Sequence, residues 1–201
     1  LLNQNPQHLI ASKWRRFAGD LTHLWPEEKG AWSHVPVQSS PREWLLAERM
    51  MIPAGWIGSR QLFESIRPWD VSLLINQDGE YFTRAIVASA GVILEPKSRV
   101  YYHSEMQGSV SQFKPKKAPS LFASIESFEQ TVLQLGNDSD IKTLISNHYM
   151  GFIYRVYPLV PELRKKARAK IQQYGLPNRP NDNAESTLAK TICSIFGWKF
   201  L

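Results

Sequence analysis

Apolar side chains recur every three or four residues through most of the chain after position 40, which is the spacing of a helix with one buried face. The repeat is clearest in a segment that ends at Gly136, where the inward positions are Leu121, Ile125, Phe128, Val132 and Leu135. A second periodic segment follows Asp138 and stops at Pro158. Both patterns predict amphipathic helices with a wide buried face.

Capping residues and prolines predict where further helices begin. Such starts are expected at Ser40, Ser59, Asp78, Pro96 and Pro161. The helix after Asp78 is expected to cover 81–94, the one that starts at Pro96 to extend through Val110, and a last helix with Leu188 and Ile195 on its inner side to reach Gly197. The short apolar run at 71–75 fits a strand or a helix equally.

The first forty residues look different, because prolines and glycine interrupt them repeatedly. A short helix through 9–24 is expected, closed by Pro26, since the residue before a proline resists the helical conformation. Together these patterns predict an all-α fold: an irregular segment over 1–40 with a short helix, then one compact helical domain over 41–201. The domain is expected to contain about seven to nine helices.

Composition narrows the class of protein. The formal net charge of +6 and a pI near 9.5 favour acidic partners. Cys193 is the single cysteine, which excludes an intramolecular disulfide and a cysteine zinc site. No signal peptide is recognisable and no apolar run approaches the roughly 18 residues of a membrane span, so a cytoplasmic protein without direct membrane insertion is expected.

No catalytic constellation is recognisable. The serine-hydrolase elbow, the phosphate-binding loop and the dinucleotide glycine fingerprint are all missing, and no two histidines lie three or four residues apart. Asp138 and Asp140 fit a carboxylate pair for acid–base chemistry or for a metal, but their place at a helix start favours a cap. We therefore predict no enzyme activity, no cofactor and no metal.

Two groups of residues are candidates for partner binding. One is a run of cations in the helix after Pro161, which fits a phosphate-binding element or a solvated polar face: Arg164, Lys165, Lys166, Arg168 and Lys170. The other group consists of three N-terminal tryptophans that could anchor a partner, although Trp14 fits a core position equally: Trp14, Trp25 and Trp32.

The order of several segments resembles the SctK family, cytoplasmic accessory proteins of the bacterial type III secretion injectisome. The opening Asn5, Pro6 and His8 is similar to the start of that family. The other similar segments are the small-residue step at 88–94, the basic start of 99–110, Leu135-Gly136, the helix that ends at Pro158, the stretch 163–177 with its closing Leu-Pro, and 188–193.

The resemblance implies a helical adaptor of the secretion sorting platform. Such a protein would link the cytoplasmic domain of the inner-membrane ring protein to the spoke protein of the cytoplasmic ring, and would lie at the inner membrane through that ring. No nucleic acid is expected as a partner on this interpretation. The alternative is a basic helical nucleic-acid-binding regulator from a mobile element, which shares the charge and the helical pattern.

Overall fold

The computed structural model describes residues 1–24, 35–49, 51–103 and 113–175. Two compact units divide the chain, Leu1–Gly136 and Asn137–Leu201. In its described part the first unit contains a four-stranded mixed sheet and four α-helices, and the second contains two α-helices. The fold is therefore α/β, and the predicted all-α fold is wrong.

The sheet is built around one long parallel strand pair. Its strands are β1 (Leu9–Phe17), β2 (Gln38–Ser39), β3 (Trp56–Ile57) and β4 (Val92–His103), in the spatial order β2-β4-β1-β3. β1 and β4 run parallel, and the two short strands pair antiparallel at the outer sides. The parallel pair is connected through helices, as parallel strands require.

β1 replaces the short helix that was expected over 9–24. Its first half, Leu9, Ile10, Ala11 and Ser12, is buried at every position, since it lies between β4 and β3. A continuous buried run is typical of an inner strand covered on both faces, whereas a surface helix keeps a polar side. The 1–40 segment thus supplies one of the two inner strands of the sheet.

β4 corrects two further predictions. The helix expected over 81–94 ends at Ala88, and Val92 already belongs to β4. Gly91 lies between this helix and β4 with a φ of +149°, a conformation that other residues rarely adopt. A Cβ there would also lie 2.6 Å from the Ser39 carbonyl oxygen of the adjoining strand β2. The prediction of a helix from Pro96 is wrong for the residues up to His103, because these belong to β4. The rest of the predicted span lies outside the described residues.

Most of the other predicted helix starts are confirmed. The helices are α1 (Pro41–Leu46), α2 (Arg60–Glu64), α3 (Gln77–Ala88), α4 (Ala118–Val132), α5 (Ser139–Val156) and α6 (Pro161–Gln173). Ser40 forms a reciprocal capping box with Glu43, and the Ser59 hydroxyl accepts from the Leu62 amide at 3.1 Å. Asp78 is not the cap of α3, because the helix begins one residue earlier and Asn76 occupies the cap position.

The core of the first unit lies on the sheet. Leu9, Ala11, Val92 and Leu94 of the central strands form one buried cluster with helix residues such as Ala85. Large rings complete this cluster: the Trp56 ring lies 5.6 Å from that of Trp44 and 5.5 Å from that of Phe82. The amino-terminal parts of the two central strands therefore pack into a core that they share with the helices.

In the second unit α5 and α6 pack together. α5 buries the apolar positions that its periodicity predicts, including Ile141, Tyr149 and Val156, and α6 contributes Ala167 and Ile171. The Asp138 carboxylate accepts from the Asp140 and Ile141 amides at 3.0 and 3.4 Å, so the predicted cap of α5 is confirmed.

A basic strand ribbon as candidate binding site

Among the described residues, the carboxyl halves of β1 and β4 extend beyond the two short strands of the sheet. β3 pairs with β1 only at Ile10 and Ala11, and β2 pairs with β4 only at Val92 and Ile93. From residue 13 of β1 and residue 99 of β4 the two strands continue as a parallel pair to Phe17 and His103. We call residues 13–17 and 99–103 the ribbon.

A bulge in β4 sets the register of the ribbon. Ser12 is paired with Glu95, but its neighbour Lys13 is paired with Arg99, so β4 accommodates three extra residues at this point. The hydroxyls of Ser12 and Ser98 are 2.9 Å apart and fasten the bulge to β1. Pro96, which cannot donate to a strand ladder, lies within it.

The register sorts the ribbon side chains onto two faces, because residues paired across parallel strands point to the same side and neighbours along a strand alternate. The basic face carries three cations and three rings: Lys13 with Arg99, Arg15 with Tyr101, and Phe17 with His103. The aromatic face carries Trp14 with Val100, and Arg16 with Tyr102. Acidic side chains are absent from the ten ribbon positions.

Ring contacts agree with this assignment of the faces. On the basic face the rings of Phe17 and His103 stack with centroids 4.7 Å apart and an interplanar angle of 11°. On the aromatic face Trp14 meets Tyr102 edge-on at 6.3 Å, and the Arg16 guanidinium lies 5.5 Å from the Trp14 ring centroid. The rings of the aromatic face are thus engaged largely with one another.

The β4 half of the ribbon is its exposed half. Arg99, Tyr101, Tyr102 and His103 are exposed, and Tyr101 keeps 44% of its surface accessible. Residues 13–17 of β1 are partly buried. An exposed Tyr beside paired cations is an arrangement that a partner can use, since Tyr and Arg are enriched among residues that dominate binding energies.

The predicted basic helix is present as α6, but its cations do not share one face. At about 100° per residue, Lys165 and Lys166 diverge around the exposed side, while Arg168 and Lys170 lie towards its two margins. Arg164 has a local role: its guanidinium donates to the Leu159 and Pro158 carbonyls at 2.8 and 2.7 Å. It also lies 5.0 Å from the ring centroid of Tyr157.

Of the three tryptophans predicted as anchors, Trp14 lies on the aromatic face of the ribbon. Trp25 and Trp32 are outside the described residues, as are Cys193 and the last helix that was expected to reach Gly197. The structure thus brings Trp14 next to basic residues, but these are ribbon residues and not those of the predicted basic helix.

The sequence interpretation missed the ribbon residues other than Trp14. The available signal was composition: 13–17 reads Lys-Trp-Arg-Arg-Phe and 99–103 reads Arg-Val-Tyr-Tyr-His, and each contains two of the Trp, Phe and Tyr residues that strands favour. Each segment was assigned to a helix, so the two could not be placed side by side.

A buried carboxylate in the first unit was also missed. Glu80 of α3 is 2% exposed and accepts from Arg84 Nε at 2.8 Å, from Ser127 Oγ at 2.7 Å and from Arg67 Nη2 at 3.2 Å. Burial by itself raises the pKa of Glu80, but the hydrogen bonds from Arg84 and Ser127 and the nearby charges outweigh it and hold the pKa below its usual value. Arg84 lies one turn further along α3, whereas Ser127 belongs to α4 and Arg67 to the loop before α3, so Glu80 ties α3 to both of these segments.

Within the described ranges, no three His, Cys, Asp or Glu side chains come together as metal ligands. None of the helices described there is long and apolar enough to cross a bilayer.

Comparison with known protein families, characterised proteins and solved structures finds no match for this chain. The resemblance to the SctK family therefore stays a prediction.

Proposed function

We propose that this chain is a binding protein without catalytic activity and that the basic face of the ribbon binds an anionic partner. The observation that carries the proposal is the placement of Lys13, Arg15 and Arg99 on one face of two paired strands.

The strand pair gives these charges a fixed spacing. Paired residues lie about 4.8 Å apart across the strands, and successive positions on one face lie about 6.6 Å apart along them. Cations held this way lose less freedom on binding than cations on a mobile loop, so more of the electrostatic attraction is retained as affinity. Opposite charge on a partner also raises the rate of encounter.

The position of the ribbon in the fold supports the same surface. In open α/β sheets, ligands bind beyond the carboxyl ends of the parallel strands. Phe17 and His103 are the carboxyl ends of the parallel pair in this sheet. The ribbon is therefore the part of the sheet where a binding site is expected.

The SctK resemblance suggests one kind of partner, an acidic surface on the injectisome ring or platform proteins. The resemblance implied a helical protein, and the fold is α/β, so it lends the proposal little support. The sorting-platform role remains a prediction. Recovery of ring and platform proteins with the tagged chain from its native bacterium would support it, and recovery of neither would contradict it.

Retention on a heparin column tests the ribbon directly. The double variant Lys13→Glu, Arg99→Glu replaces one facing pair of like charges by another and lowers the formal charge by two units per substitution, from +6 to +2. The matched control is Lys165→Glu, Lys166→Glu, with the same change of charge on exposed positions of α6. Circular dichroism verifies that both variants keep the fold.

We expect the ribbon variant to elute at clearly lower salt than the wild type and the α6 variant to elute close to it. The reason is that a fixed cluster of cations contacts the polyanion more closely than dispersed ones. Equal losses in the two variants, or a larger loss in the α6 variant, would contradict the proposal and favour α6 as the binding element.

A further inference from the structure

We infer that the partner of the basic face is single-stranded nucleic acid. The inference rests on the proposed anion-binding role of the ribbon and adds the chemical identity of the ligand. Its basis is the presence of exposed aromatic rings among the cations, which an acidic partner alone does not require.

Cations and rings follow each other along the basic face. The Lys13–Arg99 pair comes first, the Arg15–Tyr101 pair next, and the Phe17–His103 stack last. At about 3.3 Å per residue the three pairs span about 13 Å. Phosphates can therefore pair with the cations at the start of the ribbon while bases stack on the rings further along.

Each residue type suits its part of that ligand. A guanidinium presents a planar fork that matches phosphate oxygens, which Arg15 and Arg99 can offer from neighbouring strands. Bases of single strands stack on Tyr and His side chains whose ring faces are accessible. Tyr101 keeps 44% of its surface accessible, and His103 is an exposed residue whose ring stacks on Phe17.

Duplex DNA and an acidic protein match the side chains of this face less well than single-stranded nucleic acid does. In a duplex the base faces are stacked against each other, so the rings of the ribbon gain little from them. Carboxylates of a protein would pair with the cations but offer Tyr101 and His103 no aromatic face on which to stack. The combination on the basic face favours an unpaired strand.

Fluorescence anisotropy with a labelled oligothymidine of about 12 nucleotides tests the inference on the full chain. Tyr101→Ala removes one stacking ring and should weaken binding about 5- to 100-fold, the range for loss of one base–aromatic stack. Tyr101→Phe keeps the ring and should leave the affinity close to that of the wild type. Retention of both variants on heparin should be unchanged, since neither alters the charge.

Three results would overturn the inference. They are equal affinities of the Ala and Phe variants for the oligothymidine, competition by duplex DNA as effective as that by the single strand, and binding of free thymidine monophosphate as tight as that of the oligomer. If heparin retention still depends on Lys13 and Arg99, the proposed function survives such a result. If heparin retention does not depend on them, the proposed function fails as well.

Discussion

His148 shows how the position of one residue can make stability depend on pH. It lies in α5 near the buried residues Ile145, Tyr149 and Phe152 of the same helix. Burial lowers the pKa of its imidazole to about 4. In the unfolded chain the pKa returns to about 6.5. Between these values the unfolded state binds a proton that the folded state does not, so stability falls as the pH is lowered from 6.5 towards 4.

We predict that the free energy of unfolding contains a His148 contribution that decreases by about 2 kcal/mol between pH 7 and pH 5. Urea unfolding at the two pH values measures it. His148→Gln should remove this part of the pH dependence, whereas His23→Gln, at an exposed position, should keep it. An unchanged pH dependence in the His148 variant would show that its imidazole titrates normally in the folded chain.

At the scale of single elements, the stability of α5 depends on an N-cap residue that can be recognised in the sequence. The Asp138 carboxylate accepts from two amides of the first turn, 3.0 Å from that of Asp140 and 3.4 Å from that of Ile141. Asp138→Ala leaves both donors without this acceptor and should cost about 1 kcal/mol of stability in urea unfolding. Asp138→Asn retains an acceptor oxygen and should lose much less; equal losses would mean that the cap bonds contribute nothing.

Caps such as this one also explain why most of the helices could be predicted from the sequence and the strands could not. The signals at Ser40, Ser59 and Asp138 act within three residues, so they can be recognised wherever they occur. β1 becomes a strand because it pairs with β4, more than eighty positions further along the chain. Periodicity in a local window contains no information on such a partner, and the buried run of β1 suits a helix or a strand equally.

Little of the candidate site could be predicted from the sequence, because the site is formed by residues that only the pairing of β1 with β4 brings together. Trp14 was predicted from the sequence as one of three possible anchors, but it lies on the aromatic face of the ribbon and not on the basic face. Tyr101 and Arg99 gain their significance from the register that places them beside Arg15 and Lys13. That register depends on the β4 bulge, which holds three residues that no spacing rule predicts.

For the whole molecule, net charge and local charge make different predictions about binding. The formal charge of +6 is a property of all 201 residues, and the helix cations contribute to it as much as the ribbon cations do. Binding driven by net charge would respond to the removal of any exposed cation. Binding at the ribbon should respond to three cations, since Lys13, Arg15 and Arg99 share the basic face.

The salt dependence of binding separates the two cases. Each phosphate neutralised on a single strand contributes about −0.7 to the slope of log K against log salt concentration, so three contacts predict a slope of about −2 for the oligothymidine. Lys13→Gln should make the slope shallower by about 0.7, and Lys165→Gln, the matched loss of one charge on α6, should leave it unchanged. Equal changes in both variants, measured by anisotropy titrations over a series of salt concentrations, would mean that the charge of the whole molecule and not the geometry of the ribbon controls binding.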